Sequence, residues 1–162
     1  MQKKKICMVG DFSVGKTSLT QKFVNNVFSD KYLSTIGVKI DTAEVDDTKL
    51  IVWDIAGRDS LSPINSSYLV GAAGVILVCD GTRENTVTDL FDIWETVKGR
   101  IGNVPVVVAL NKSDLPDWFV SEESYDKFSE LGWEFYKTSA KDGFNVEFLF
   151  KSLVVKIKSP KD

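Results

Sequence analysis

The sequence predicts an α/β fold: a six-stranded, mostly parallel sheet with one antiparallel edge strand, covered on both faces by about five helices. Short apolar runs alternate with helical patterns along all 162 residues. The centres of these runs are apolar on both faces, which is typical of parallel strands that lie between two layers of helices. The length fits one domain, so we expect residues 1–162 to form a single domain.

The predicted strands are of two kinds. Five are apolar runs bounded by turn residues, whereas residues 38–45 mix polar and apolar side chains. Because Asp46-Asp47 is a turn signal, this mixed segment is interpreted as the edge strand of a hairpin. In chain order, the predicted strands are 5–9, 38–45, 50–54, 75–80, 104–110 and 133–138.

The predicted helices lie between these strands and have an apolar stripe, a capping side chain or a stop signal. Alternation of strands and helices implies an open sheet that binds ligands at the carboxyl ends of its strands. The helices are marked by the stripe Leu19-Phe23-Val27, the start signal Ser62-Pro63, the capping-box pair Thr86 and Asp89, the cap Ser121 with the stop Gly132, and the stripe Leu149-Leu153-Ile157.

Composition excludes several classes of function. With 20 basic residues, 23 acidic residues and no histidine, the chain is not expected to bind nucleic acid in general. The lack of histidine also excludes Ser-His and Cys-His catalysis and the commonest zinc sites. Cys7 and Cys79 lie in apolar runs and are predicted to be reduced core residues, which indicates a reducing compartment. We therefore expect a cytoplasmic monomer with no stable membrane anchor in this chain.

Residues 10–17 read G-D-F-S-V-G-K-T, the pattern G-x-x-x-x-G-K-[ST] between a strand and a helix. Glycines let the backbone curl so that its N–H groups face an anion, and the start of the helix adds its dipole. Lys16 can reach the β- and γ-phosphates, and the Thr17 hydroxyl can bind Mg²⁺. The alternative is an ordinary glycine-rich turn, but four matching positions in the right context argue against it. The residues predicted to hold the phosphates are Ser13, Val14, Gly15, Lys16, Thr17 and Ser18.

Two further loops suit a guanine base. N-K-S-D at residues 111–114 follows a buried strand, and its Asp114 can accept both N1–H and the 2-amino group of guanine, a donor pair that adenine lacks. Lys112 can lay its stem across the base. By itself this motif is weak, since a solvated loop explains it equally well. S-A-K, which is Ser139, Ala140 and Lys141, follows the next strand and offers the Ala140 N–H to guanine O6. Asn111 completes the set.

In chain order, the motifs G-D-F-S-V-G-K-T, T-I-G, W-D-I-A-G, N-K-S-D and S-A-K resemble those of small Ras-superfamily GTPases, of the Rab-like and prokaryotic Ras-like kind. The resemblance covers residues 5–157. It implies a domain that binds GTP or GDP with Mg²⁺, hydrolyses GTP and cycles two switch loops near 28–40 and 54–70. It also implies effector proteins that bind the GTP form, together with exchange and activating factors.

The resemblance assigns roles to five further residues. Phe28 packs against the guanine, Tyr32 closes over the phosphates, and Thr35 binds Mg²⁺ and senses the γ-phosphate. Asp54 holds Mg²⁺ through water, and the Gly57 N–H bonds the γ-phosphate. Without the family, the two aromatic residues are core or surface residues, the threonine belongs to a loop, and the aspartate ends a strand.

The chain departs from the family at two positions. Arg58 replaces the glutamine that orients the attacking water, and arginine has no acceptor for that water. Arg58 either stabilises charge on the γ-phosphate or is solvated on its loop. Phe12 replaces a small residue, and its ring either crowds the approach of an activating protein or turns outward. We expect slow intrinsic hydrolysis, with Lys16, Thr35, Gly57 and Arg58 as the catalytic residues.

Two other functions stay open from the sequence. A GTP-binding scaffold with little hydrolysis is compatible with Arg58 and Phe12. An ATP-using enzyme with the same phosphate loop, such as a small kinase, is opposed by Asp114 and by the lack of a lid or acceptor-binding segment.

Overall fold

The computed structural model describes residues 2–11, 13–24, 31–33, 38–55 and 65–158, with the backbone alone at 31–33 and 65–66. Within these residues, seven strands form one sheet in the order β2-β3-β4-β1-β5-β6-β7. The strands are β1 Gln2–Gly10, β2 Lys31–Leu33, β3 Val38–Val45, β4 Thr48–Ile55, β5 Gly74–Asp80, β6 Val106–Asn111 and β7 Glu134–Lys137. The helices are α1 Lys16–Val24, α2 Glu84–Ile101, α3 Glu122–Glu130 and α4 Val146–Lys158, with a 3₁₀-helix at Asn65–Leu69.

The predicted fold class, a mostly parallel α/β sheet with helices on both faces, is confirmed. β1 is parallel to β4 and β5, and β6 is parallel to β5 and β7. β3 has the predicted bounds and joins β4 through the Asp46-Asp47 turn, with Val45 opposite Thr48. The short β2 lies outside β3 and is antiparallel to it, so β3 is not the edge strand that the sequence predicts. Four α-helices lie in the described residues, against about five predicted, and the predicted start at Ser62-Pro63 lies outside them.

Two of the predicted helix starts have different outcomes. Ser121 caps α3 as expected, because its hydroxyl accepts a hydrogen bond from the Ser124 N–H at 3.2 Å. The predicted start of α2 at Thr86 is wrong, since the helix begins at Glu84. The Thr86 hydroxyl is buried and bonds the end of β5, accepting from the Asp80 N–H at 2.9 Å. Its hydrogen-bonding capacity is therefore used to join helix and sheet.

The sheet is buried on both faces. Alternate residues of β1 point to opposite sides: Cys7 and Val9 pack with α2, and Ile6 and Met8 pack with α1 and α4. Cys7 and Cys79 are buried free thiols, as predicted, and burial raises the pKa of Cys7 to about 12. None of the helices in the described residues is long and apolar enough to cross a membrane.

The carboxyl ends of four neighbouring strands meet along one edge of the sheet. Asp54 in β4 is opposite Met8 in β1, and Asp80 at the end of β5 is opposite Asn111 at the end of β6. α1 begins at Lys16, after the turn that follows β1. The sheet order thus brings the motifs of the sequence to a common edge.

Candidate functional site

The phosphate loop needs its two glycines for space as well as for flexibility. A Cβ atom on Gly10 would lie 2.2 Å from the carbonyl oxygen of Val78 in β5. Gly15 has a φ of +102°, and a Cβ atom there would lie 2.2 Å from the Asn111 Nδ2. Side chains are therefore excluded where the loop approaches β5 and the base loop, which the motif alone does not reveal.

The loop curls around the ammonium group of Lys16. This side chain is buried, and its Nζ donates to the carbonyl oxygens of Asp11 at 2.9 Å and Gly10 at 3.3 Å. Burial lowers the pKa of Lys16, and the charges of Asp54 and Asp11 oppose part of that change. A buried cation held by the curled backbone of the loop is suited to an anionic ligand.

Thr17 and Asp54, two of the predicted metal ligands, lie in direct contact. The Thr17 hydroxyl donates to Oδ2 of Asp54, whose side chain is buried near the end of β4. Burial raises the pKa of Asp54, and the Thr17 hydrogen bond and the Lys16 charge act in the opposite direction. A hydroxyl beside a carboxylate is a donor set that fits Mg²⁺, which prefers oxygen ligands. Ser18 follows in the first turn of α1, exposed to solvent.

Asn111 connects the phosphate loop to Thr138, the residue just before S-A-K. Its Nδ2 donates to the Val14 carbonyl at 2.9 Å, and its Oδ1 accepts from the Thr138 hydroxyl at 3.1 Å. Asn111 and Thr138 are both buried. The buried amide therefore spans three loops at the site, and Thr138 is a supporting residue that the sequence reasoning missed.

Asp114 and Ser139, both predicted to lie in the base pocket, are joined by a hydrogen bond. The Ser139 hydroxyl donates to Oδ1 of Asp114 at 3.0 Å and accepts from the Asp142 N–H at 3.3 Å. Ser139 is buried and Asp114 is exposed, so the serine hydroxyl orients the carboxylate from the interior side of the site. Ala140 and Lys141 continue the same turn, which places the two predicted base loops side by side.

Lys112 reaches the phosphate loop and has a partner that the sequence reasoning did not identify. Its Nζ donates to the Ser13 carbonyl at 3.0 Å and lies 3.0 Å from Oδ2 of Asp80. Asp80 belongs to no motif, and the available signal was its place as the last residue of a buried strand. The remaining predicted site residues lie outside the described side chains: Phe12, Phe28, Tyr32, Thr35, Gly57 and Arg58.

A phosphate loop between β1 and α1, with the N-K-S-D and S-A-K motifs at the ends of β6 and β7, defines a P-loop nucleotide-binding domain. The Ras family model matches residues 5–159. The chain is also similar to the Ras-related protein RABD1 of Arabidopsis thaliana, at 39% identity over 162 aligned residues, covering 95% of this chain and 78% of that protein. The chain therefore belongs to the Ras family and is Rab-like. It is a GTP-binding switch protein of the GTPase class, as the resemblance implied.

Proposed function

We propose that this protein binds GTP or GDP together with Mg²⁺, hydrolyses GTP slowly, and cycles switch segments near residues 28–40 and 54–70. The observation that carries the proposal is one sheet edge where a buried ammonium, a hydroxyl–carboxylate pair and a base-recognition carboxylate converge. These are Lys16, Thr17 with Asp54, and Asp114.

The phosphates bind in the curl of the loop at residues 13–18. Lys16 supplies the charge, and the start of α1 supplies free N–H groups and the positive end of the helix dipole. We assign the γ-phosphate contacts to Lys16, Thr35 and Gly57, the last two from the family resemblance.

The metal is held by Thr17, Asp54 and Thr35. The first two are in contact, and the third comes from the family resemblance. Mg²⁺, when bound, neutralises charge on the β- and γ-phosphates. The protein's own part is to hold a buried carboxylate next to a hydroxyl at the end of the phosphate loop.

The base is recognised by Asp114, whose orientation depends on Ser139. Guanine presents two donors to this carboxylate, whereas adenine leaves it without them. Asn111, Lys112, Ala140 and Lys141 complete the pocket, and Phe28 packs against the base in the family pattern.

Slow hydrolysis follows from the chemistry of Arg58. A guanidinium has donors only, so it cannot accept a hydrogen bond from the attacking water as glutamine does. Phe12 adds bulk at the position where the family has a small residue, which limits the access of an activating protein. The same residues favour a second function, a GTP-binding scaffold with little hydrolysis.

Two measurements test the proposal. In the first, a fluorescent GDP analogue is bound in the presence of Mg²⁺ and displaced by GDP, GTP or ATP. We expect GTP and GDP to displace it at least ~100-fold better than ATP. Equal displacement by ATP would contradict the assigned base specificity.

In the second measurement, protein in excess over GTP is followed through a single turnover. We expect a rate below about one per minute. A rate of tens per minute would contradict slow hydrolysis, and no turnover at all would favour the scaffold.

A further inference from the structure

Asp80 is a buried carboxylate at the centre of the site edge, at the end of β5 between the phosphate-loop strand and the base-loop strand. Its Oδ1 accepts from the N–H of Thr82 at 2.8 Å and from the Thr82 hydroxyl at 2.6 Å. Its Oδ2 accepts from the Arg83 Nε at 3.0 Å and lies 3.0 Å from the Lys112 Nζ. Both oxygens are therefore held in place by named donors.

The Lys112 ammonium continues this chain of contacts to the phosphate loop. Its Nζ also donates to the Ser13 carbonyl at 3.0 Å, so a single cation joins β5, the base loop and the phosphate loop. The two residues joined by this hydrogen bond both have a strained backbone, because φ is 67° at Lys112 and 58° at Ser13. Side-chain contacts of this kind can hold such conformations in a folded protein.

The backbone that follows Asp80 is fixed to the base loop by hydrogen bonds. The Gly81 N–H and the Trp118 Nε1 both donate to the Asn111 carbonyl at 3.0 Å. The Phe119 N–H donates to the Gly81 carbonyl at 2.8 Å. A Cβ atom on Gly81 would lie 2.0 Å from the Trp118 Nε1, so only glycine permits this close packing. Asp80 is thus fixed before any ligand binds.

Burial acts to raise the pKa of Asp80, but the hydrogen bonds from Thr82, Lys112 and Arg83 together lower it to about 2. The carboxylate is therefore ionised at neutral pH and balances the charge of Lys112. An ionised, immobile partner restricts Lys112 to the position over the Ser13 carbonyl.

We propose that Asp80 is a positioning residue for nucleotide retention: it fixes Lys112 so that the base loop and the phosphate loop hold the nucleotide as one unit. This inference rests on the proposed guanine-nucleotide site. Asp80 acts through Lys112 and touches no part of the nucleotide itself. Its loss frees the two loops to separate, and the dissociation rate of the nucleotide rises.

The test compares Asp80→Asn with Arg83→Gln. Asparagine keeps the shape of the side chain but removes its charge, whereas the control removes the other cation bound to Asp80 and leaves Lys112 paired. Release of a fluorescent GDP analogue is followed after adding excess unlabelled GDP with Mg²⁺. We expect release about tenfold faster for Asp80→Asn and within about twofold of wild type for Arg83→Gln. The association rate is expected to stay unchanged in both.

A double-mutant cycle separates positioning from a general loss of structure. In the Lys112→Met background, Asp80→Asn is expected to change GDP release by less than about twofold, because its partner is already gone. Equal acceleration in both backgrounds would overturn the inference. If Asp80→Asn does not fold, Asp80→Ser removes the same charge with a smaller side chain and is expected to speed release about tenfold. Release at the wild-type rate in Asp80→Ser would then overturn the inference.

The outcomes also separate this inference from the proposed function. Wild-type protein that retains no guanine nucleotide in the presence of Mg²⁺ overturns both. Wild-type protein that retains GDP, together with a folded Asp80→Asn variant that releases it at the wild-type rate, overturns the role of Asp80 alone.

Discussion

Asp114 is the residue that we propose discriminates between bases. Its carboxylate is exposed at the site edge and oriented by the buried Ser139 hydroxyl. Because guanine can donate two hydrogen bonds to a carboxylate in this position, Asp114→Ala is expected to weaken GDP binding about 100-fold and to leave ATP binding unchanged. Competition titration against a fluorescent GDP analogue measures both.

Asp117→Ala is the matched control for this prediction. Asp117 is an exposed aspartate in the same loop, so its removal changes the net charge by the same amount. We expect the affinity of the Asp117→Ala variant for GDP to stay within about twofold of wild type. Equal loss in the two variants would mean that Asp114 acts through overall charge and not through base contacts.

Arg58 is the residue whose chemistry departs furthest from the family. We expect Arg58→Gln to raise the single-turnover hydrolysis rate about tenfold, since glutamine supplies the acceptor that a water molecule needs. Arg58→Ala is expected to stay within about twofold of wild type, because alanine orients no water either. A marked slowing in both variants would show instead that the guanidinium stabilises charge on the γ-phosphate.

The phosphate loop depends on the close approach of secondary-structure elements. Gly15 combines a φ of +102° with a Cβ position 2.2 Å from Asn111, so Gly15→Ala must displace the buried amide that joins three loops. We expect a loss of about 2–3 kcal/mol in the free energy of unfolding and at least tenfold weaker GDP binding. Urea unfolding and GDP titration measure these two effects.

Gly99→Ala is expected to have the opposite effect on the free energy of unfolding. Gly99 lies inside α2, and a Cβ atom there would meet nothing within 4 Å. Alanine should therefore stabilise the protein by about 0.5–1 kcal/mol and leave GDP binding unchanged. Similar destabilisation by both substitutions would contradict the role assigned to the loop geometry.

Most elements could be predicted because their signals are local. The apolar runs predicted the buried strands, and Asp46-Asp47 correctly placed the hairpin at Val38–Val45. The sequence missed β2 because three residues are too few to show a periodic pattern. The start of β1 was also missed: Gln2 and Lys3 are polar, but pairing with Thr48 and Lys49 of β4 holds them in the ladder.

At the scale of the whole molecule, the sequence predicted the motifs but not what supports them. Lys16, Asp54 and Asp114 could be found because each belongs to a recognisable motif. Asp80 and Thr138 could not, since their importance depends on which strands become neighbours. Two residues 32 positions apart, Asp80 and Lys112, meet only because β5 and β6 are adjacent.

The depressed pKa of Asp80 links this contact to the pH dependence of the global stability. Its pKa is about 2 in the folded protein, below the ordinary aspartate pKa of 3.8. The carboxylate therefore stabilises the fold above pH 3.8, and this contribution is lost as the pH falls towards about 2. Allowing for solvent screening, we expect the loss to be about 1–2 kcal/mol.

Urea unfolding of wild type and Asp80→Asn between pH 4 and about 2 measures this contribution. The asparagine variant is expected to lose less stability over that interval. Asp54, whose pKa is raised by burial, is present in both proteins, so its effect on stability cancels in the comparison. Parallel pH profiles would contradict the assigned ionisation of Asp80.

The proposed metal site connects the phosphate loop to retention of the nucleotide and to the stability of the whole fold. If Thr17 and Asp54 hold Mg²⁺, chelation with EDTA is expected to speed GDP release at least about tenfold. It is also expected to lower the thermal midpoint of the GDP complex, because a more weakly bound ligand stabilises the folded state less. In Thr17→Ala, release should already be fast, and EDTA should change it by less than about twofold. Thr88→Ala, an exposed threonine on α2, should respond to EDTA as wild type does. An undiminished EDTA response in Thr17→Ala would mean that the metal binds elsewhere.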